Sequence, residues 1–515
     1  MLSRLGTAIL FLATLFSLSC TDAETVRAKT ASELIAKERA ALDRWAKGDP
    51  TGYLEIFGPE ITYFNPFLDH RINGFAEMSA YYQSLAGEVS IDRFEMVDPR
   101  VQIHRDVAIL SYHLYNYRTL PDGSEEETTR WNSTKVYAWS DGDWRIVHNH
   151  WAFLKPDVPQ NDTDRAKAID ELVQKFFDSG SFPSLSVGLV ENDTLVYARS
   201  LGVADKATGR QATMDTIYEI GSVGKVFTAT MLAILHDRGV LRIDDPVEKW
   251  VPAIADVPKP AEDGPQMTLE HLATHTSGLP GVPANVGHLP PFQWKGYSAE
   301  DLHSGFKNTE LRHPAGQDLV YSTFGMGLLG HVTSVATQRP YEAVVADELL
   351  LPLGMRDTVI SLQRHQEGRY SVGYPPDDTS GEVPYYEYGI LAGGGAHRST
   401  VADLAKFLQA QWGSPGIGTN PLNERVRSEL HRIRWRSEED DGASIALGWF
   451  AEPREGVGTV LVHRGRTPGH GAVIAFIPEQ RVGVVLLTNR GGRDANIRMA
   501  NFAEELLLDF VSSEE

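Results

Sequence analysis

The 515-residue chain has one cysteine, no run of apolar residues long enough to span a bilayer, and too few cations for its anions: 48 Lys and Arg against 69 Asp and Glu, a formal charge of −21. Each shortage excludes something. A single cysteine rules out a disulfide framework, a thiolate zinc site, iron–sulfur ligation and a CxxC redox pair, so stability rests on packed cores. The acidic balance speaks against a nucleic-acid binder held by basic patches. His271 and His275 have helical spacing, but Leu272 stands where the HExxH zinc signature needs glutamate, and no GxSxG elbow of an α/β-hydrolase occurs. No metal or other cofactor is expected. What remains, 42% hydrophobic and 23% charged, is globular composition for roughly two to four domains.

The strongest apolar run, Leu5 to Ser19, follows Arg4 and ends at the lone Cys20. It is shorter than the roughly 20 residues of a spanning helix, and it reads as a signal peptide over residues 1–19. A cysteine at that boundary resembles the acylation site of a bacterial lipoprotein. The resemblance implies export to the cell envelope, on the periplasmic or outer-membrane face, with a lipid anchor on Cys20.

From Thr30 the sequence TASE offers a capping box between Thr30 and Glu33, and Leu34, Ala41, Leu42 and Trp45 share one helical face. A strand at Ile61 to Phe64 and a helix at Phe75 to Leu85 follow. Three stretches rich in β-formers then run from Arg100 to Leu120, Thr128 to Trp139 and Trp144 to Phe153, divided by the turn signals PDGS and SDGD. Helices followed by an antiparallel meander predict an α+β domain over residues 30–155. Its element order, closing on DGDWRIVHNHWAF, resembles the SnoaL-like relatives of nuclear transport factor. The resemblance implies a cone-shaped α+β barrel with a pocket, in a group many of whose members form homodimers. No convergent acid/base set is visible in this domain, and His148 and His150 read as exposed or structural.

Residues 156–164 are a polar linker, and one large domain occupies 165–515. Strand-like stretches at both ends of it, with helices between, predict one antiparallel sheet with a helical insertion, so the fold class is α+β throughout. In EIGSVGKVFTATMLAILHDRG, Ser222 and Lys225 stand one turn apart at the start of a helix that is apolar on nearly every side. Burial and the helix dipole both favour a neutral amine, so Lys225 could accept a proton from Ser222 or lower its pKa; the same spacing fits an N-cap serine followed by a solvated lysine equally well. A second SxxK match, Ser304 and Lys307, has no buried helix behind it and is read as chance. GMGLLG at Gly325 to Gly330 fits GxGxxG, but no confident strand precedes it, and close helix packing explains it better than a dinucleotide.

Downstream, HPAGQDLVYSTFGMGLLG supplies Tyr321 and Thr323, and HRGRTPGHG supplies His463, Gly465 and Arg466. Together with IGSVGK, LATHTSGLP, LPLGMRDT and TPGHGAVIAFIPEQRVGVVLLTN, these pieces resemble the serine β-lactamase and penicillin-binding superfamily, in its class C, D,D-peptidase and esterase-like branch. The resemblance implies that Ser222 is the acylated nucleophile, Lys225 its partner and Tyr321 the general base. It also implies an oxyanion hole from the backbone N–H groups of Ser222 and Arg466, with Thr323, His463 and Gly465 lining the substrate. Two positions depart from the family's pattern: Thr323 stands where asparagine is usual, and Arg464 where a small residue is. The expected activity is hydrolysis of a small ester, amide or peptide, with esters favoured over classical β-lactams. The alternative is a non-catalytic penicillin-binding-like sensor.

Overall fold

The computed structural model describes residues 27–512 except 66–67, 69, 88, 90, 120–124, 154–163, 181, 259–263, 287–293, 378–380, 414–419, 439–442 and 455. The expected signal peptide, Cys20 and nearly all of the expected linker lie outside the described residues. The chain divides into two compact units, Met1–Pro156 and Asp157–Glu515.

In the first unit a helix over residues 27–45, α1, buries Leu34, Ala41 and Leu42 against a sheet. The helix is already formed at residue 27, so Thr30 lies within it and the expected capping box does not start it. The strands are β1 (Phe57–Phe64), β2 (Ile72–Asn73), β3 (Arg93–His104), β4 (Val107–Thr119), β5 (Glu125–Ser140) and β6 (Asp143–Phe153), with helix α2 (Phe75–Ser84) after β2. Their order is β2-β1-β6-β5-β4-β3, antiparallel except for the β1–β6 pair. Among the described residues no ladder joins β2 to β3, the two ends of that order. The single stretch expected from Arg100 to Leu120 is two strands. The chain reverses at Arg105, whose φ of 58° is a left-handed turn without the glycine that would announce it.

Strand alternation on β5 and β6 points Lys135, Tyr137, Asn149 and Trp151 into the interior, where sequence reading found no acid/base set. Glu38 of α1 is fully buried and accepts hydrogen bonds from the hydroxyls of Tyr53 at 2.7 Å, Tyr112 at 2.6 Å and Tyr137 at 2.9 Å. The Lys135 ammonium, also fully buried, lies 3.6 Å from the same carboxylate, donates to Asn149 Oδ1 at 2.5 Å and sits 3.8 Å over the Trp151 ring. Burial pushes the Lys135 pKa down to about 8, with Glu38 opposing.

The second unit is built on a nine-stranded antiparallel sheet. Helix α3 (Asp164–Ser179) leads into β7 (Ser184–Glu191), β8 (Thr194–Asp205) and β9 (Arg210–Gln211). Near the C-terminal end come β12 (Trp435–Arg436), β13 (Ser444–Ile445), β14 (Phe450–Arg454), β15 (Gly458–Arg466), β16 (Gly471–Ile477), β17 (Val482–Thr488) and helix α7 (Arg493–Ser512). The order β12-β13-β14-β15-β16-β17-β7-β8-β9 joins the two ends of the unit through the β17–β7 pair. Between them lie the short pair β10 (Tyr218–Glu219) and β11 (Arg398–Ser399), and helices α4 (Gly224–Asp237), α5 (Thr323–Thr337) and α6 (Val401–Gln411).

Every residue of β16 and β17 is buried, because both faces of the sheet are covered. Ala472, Ile474 and Phe476 join the core shared with α4, α5 and α6; Val473, Ala475 and Ile477 join the core of α3 and α7. That period of two, flanked by apolar surface on each side, is what turns the run GAVIAFI into a central strand. The GMGLLG segment lies inside α5. A Cβ on Gly327 would meet Leu391 at 2.7 Å and one on Gly330 would meet the Gly393 backbone at 2.8 Å, so these glycines serve close packing, as expected, and no phosphate loop.

Candidate active site

Three segments converge at the C-terminal end of β15. After β10 the chain makes a single 3₁₀ turn, Gly221–Val223, and continues directly as α4, of which the first twelve residues are buried. Ser222 makes no capping hydrogen bond; its hydroxyl instead receives one from Lys225 Nζ at 2.8 Å. Lys225 is completely buried and also donates to the Gly394 carbonyl at 2.6 Å. Burial without a carboxylate partner pushes its pKa down to about 7.

Tyr321 precedes α5, and the HTSGLP segment sets it in place. The Ser322 N–H donates to His275 Nδ1 at 3.2 Å and the Ser322 hydroxyl donates to the Pro280 carbonyl at 2.7 Å. The Val320 N–H donates to the His275 carbonyl at 2.9 Å, and the His275 ring lies 4.3 Å from the Tyr321 ring. His275 is therefore a support for the tyrosine. Tyr321 keeps 38% of its surface open to the cleft, and its ring centroid is 5.0 Å from Lys225 Nζ. Burial raises the phenol's pKa, with the Ser222 hydroxyl pulling the other way.

The third segment is β15. Gly465 is buried and packs its backbone under the nucleophile turn: a Cβ there would stand 1.8 Å from the Ile220 carbonyl oxygen. Gly221, with φ of 49°, answers it, since a Cβ on Gly221 would stand 2.8 Å from Arg466 N. Only two facing glycines allow this approach, and it brings the Ser222 and Arg466 backbones together. His463 is buried on the same strand. Its Nδ1 meets the Arg464 carbonyl at 3.0 Å, so it carries the hydrogen, and burial followed by the nearby Lys225 pushes the ring's pKa down to about 3. Arg464 and Arg466 are exposed.

Ser222, Tyr321, Thr323, His463, Arg464 and Arg466 all line one cleft of about 1060 Å³, which Tyr386, Tyr388 and Phe450 line as well. Gly465 supplies clearance, not lining. Arg464, where a small residue is usual, lines the cleft. Thr323 opens α5 with its methyl against Gly394. Sequence reading missed Tyr386, Tyr388 and Phe450, which carry no motif; it had no means of placing them near a serine far away in the chain. Ser304 and Lys307 are exposed at the end of a separate short helix. His148 is half-buried with Nδ1 2.8 Å from the Thr62 hydroxyl, and His150 is exposed. Among the described residues no cluster of three His, Cys, Asp or Glu side chains is placed to hold a metal.

The arrangement sets a hydroxyl against an amine of near-neutral pKa, with two backbone amides brought to one side: the parts of an acyl-transfer site. Comparison with known proteins agrees. D-alanyl-D-alanine-carboxypeptidase/endopeptidase AmpH of Escherichia coli K12 is 25% identical over 352 residues, which are 67% of this chain and 87% of that protein. A beta-lactamase of Lysobacter lactamgenus is 26% identical over 364 residues, 65% of this chain and 89% of that one. Among solved structures, D-alanine carboxypeptidase AmpC from Burkholderia cenocepacia superposes with a TM-score of 0.57 at 23% identity, over 67% of this chain and 99% of its own. For residues 17–153 the match is to the calcium/calmodulin dependent protein kinase II association domain, which has a nuclear transport factor-like fold; the match does not reach the finer SnoaL-like assignment. The Beta-lactamase family model matches residues 169–508. Since that span holds every strand and helix that builds the cleft and covers well over half of the sequence, the chain belongs to the beta-lactamase family and is a serine hydrolase.

Proposed function

We propose that the protein is an exported, envelope-bound hydrolase that opens small esters or amides through an acyl-Ser222 intermediate, with esters ahead of classical β-lactams. The observation that carries this reading is the 2.8 Å contact between Lys225 Nζ and Ser222 Oγ inside the cleft. Ser222 Oγ attacks the substrate carbonyl carbon while its proton passes to the neutral Lys225 amine. The carbonyl oxygen becomes an oxyanion held between the N–H groups of Ser222 and Arg466, each donor worth about 3 kcal/mol in comparable sites. Collapse expels an alkoxide or amine, which takes up a proton, and water then repeats the attack on the acyl-enzyme. With its pKa lowered to about 7, Lys225 is available as a neutral base and its ammonium is a ready acid, whereas a phenol whose pKa is raised gives up its proton only as another replaces it. Tyr321 accordingly shares the acid/base work with Lys225, relaying to the leaving group the proton that the Lys225 ammonium took from Ser222, and Thr323 orients the substrate by a single hydroxyl.

The association-domain match supports a non-catalytic first unit that pairs two copies of the chain. The apolar run ending at Cys20 supports anchoring by a lipid there. A fluorophosphonate probe tests the central claim: it should label the wild type and leave Ser222→Ala unlabelled. An unlabelled wild type with an intact fold would instead favour the binding-protein reading.

A further inference from the structure

We infer that Glu219 is the positioning residue of the oxyanion hole: its carboxylate locks the turn that presents the Ser222 N–H to the turn that presents the Arg466 N–H. The inference rests on reading Ser222 as the nucleophile. Glu219 stands three residues before Ser222 on β10, and is 4% exposed in a place where an unpaired carboxylate would be costly. Its Oε1 accepts the Tyr386 N–H at 2.9 Å and lies 3.5 Å from an Arg398 guanidinium nitrogen; its Oε2 lies 3.4 Å from His470 Nδ1. Thr467 completes the set: its hydroxyl contributes to holding the carboxylate ionised and accepts the His470 N–H at 3.1 Å, while its own N–H donates to the His470 carbonyl at 3.0 Å.

Thr467 is the residue directly after Arg466. One buried carboxylate thus ties together the nucleophile turn, the end of β15 and the wall bearing Tyr386. The Gly221 and Gly465 contacts allow the two amides to approach, and the Glu219 network fixes how far. Although burial raises the Glu219 pKa, His470 and Arg398 outweigh it and hold the group ionised, with a pKa of about 2.

The same atoms suggest a rival reading. Ser371 Oγ is 3.0 Å from His470 Nε2, so Ser371, His470 and Glu219 line up as a nucleophile, base and acid would. Ser371 is fully buried, however, and its N–H is held by the Ile217 carbonyl at 2.9 Å, so no substrate reaches it. Its hydroxyl, with its carbonyl 3.2 Å from the same nitrogen, fixes the His470 ring from behind. The row is a brace.

A brace of this kind acts on the transition state and not on substrate binding, because the oxyanion exists only after attack. Glu219→Gln keeps an acceptor for the Tyr386 N–H but loses the charge that His470 and Arg398 meet. With 4-nitrophenyl acetate as substrate, kcat should fall about 10- to 100-fold while KM stays within about threefold. Phenylboronic acid, whose tetrahedral Ser222 adduct places an oxygen in the same hole, should lose affinity in step. Thr467→Val, which removes the hydroxyl that meets Glu219 and accepts the His470 N–H but keeps the Glu219 charge, should move both readouts the same way and decides the question if Glu219→Gln lacks a cooperative melting transition. Unchanged kcat and boronate affinity would overturn the inference, as would a fall in kcat with boronate affinity intact. A wild type that fluorophosphonate does not label at Ser222 would defeat the reading beneath it, a separate result.

Discussion

Lys225 Nζ sits 2.8 Å from Ser222 Oγ and 2.6 Å from the Gly394 carbonyl, with no carboxylate among the causes of its shifted pKa. An amine so placed is a base only after it loses its proton. Acylation by a nitrophenyl ester should therefore rise with pH along a limb centred near 7, the value to which burial lowers Lys225. Ser222→Ala and Lys225→Ala should both abolish turnover, whereas Ser304→Ala should leave it intact. A stopped-flow pH profile of the acylation burst reads the first, and steady-state assays of the three variants read the rest.

The same burial carries a stability cost with a definite sign. Lys225 titrates near 10.5 when unfolded and near 7 when folded, so between those values the unfolded chain binds more protons and wild-type stability rises with pH. Below about 7 the full cost applies, on the order of 5 kcal/mol at ~1.4 kcal/mol per pKa unit. Lys225→Met should thus be more stable than wild type near pH 6, with the advantage shrinking steadily towards pH 10. Urea unfolding of both proteins across that range measures it; a constant difference would show that charge burial is not the source.

The interior of the first unit makes a different claim. Removing one partner of a buried pair leaves the other charge unmet, at a cost of about 3–5 kcal/mol, while replacing both by apolar groups is often neutral. Glu38→Ala should accordingly destabilise this unit by about that amount, since it strands Lys135 and three tyrosine hydroxyls together. Glu38→Gln, which keeps an acceptor for the hydroxyls, combined with Lys135→Met should recover most of the loss. Hydrogen exchange in residues 27–45 follows the unit's opening directly.

What the sequence revealed follows from how local each signal is. Ser222 and Lys225 stand out because a polar pair is followed at once by an unbroken apolar helix, and that pattern is complete within the segment. The central strands were legible for the same reason. Glu38 and Lys135 lie on a helix and a strand far apart in sequence, where each looks like an ordinary solvated charge, and only the curved sheet brings them together. The reversal at Arg105 was hidden because a residue other than glycine takes the left-handed conformation there. Glu219 was printed beside the serine, but its meaning depends on His470 and Arg398, which arrive from other parts of the chain.

Substrate preference turns on Thr323 and the leaving group. An ester asks less of the cleft than an amide does, because an alkoxide departs more readily than an amine and needs less help from the Tyr321 proton. Where the family usually has asparagine, Thr323 offers one hydroxyl in place of an amide that both donates and accepts, so recognition of a substrate amide suffers first. The wild type should therefore hydrolyse a short-chain nitrophenyl ester well and a chromogenic cephalosporin poorly. Thr323→Asn should narrow the gap by raising kcat/KM for the cephalosporin about tenfold, the worth of one recovered hydrogen bond of about 1.4 kcal/mol, with the ester rate nearly unchanged. The residue stands at the first turn of α5 with its methyl against Gly394, and asparagine is accommodated there by turning its amide to the cleft. Parallel assays of the two substrates on the two proteins settle the point: a wild type that is a strong cephalosporinase with negligible esterase activity would refute the preference, and a Thr323→Asn protein with both rates unchanged would refute its cause.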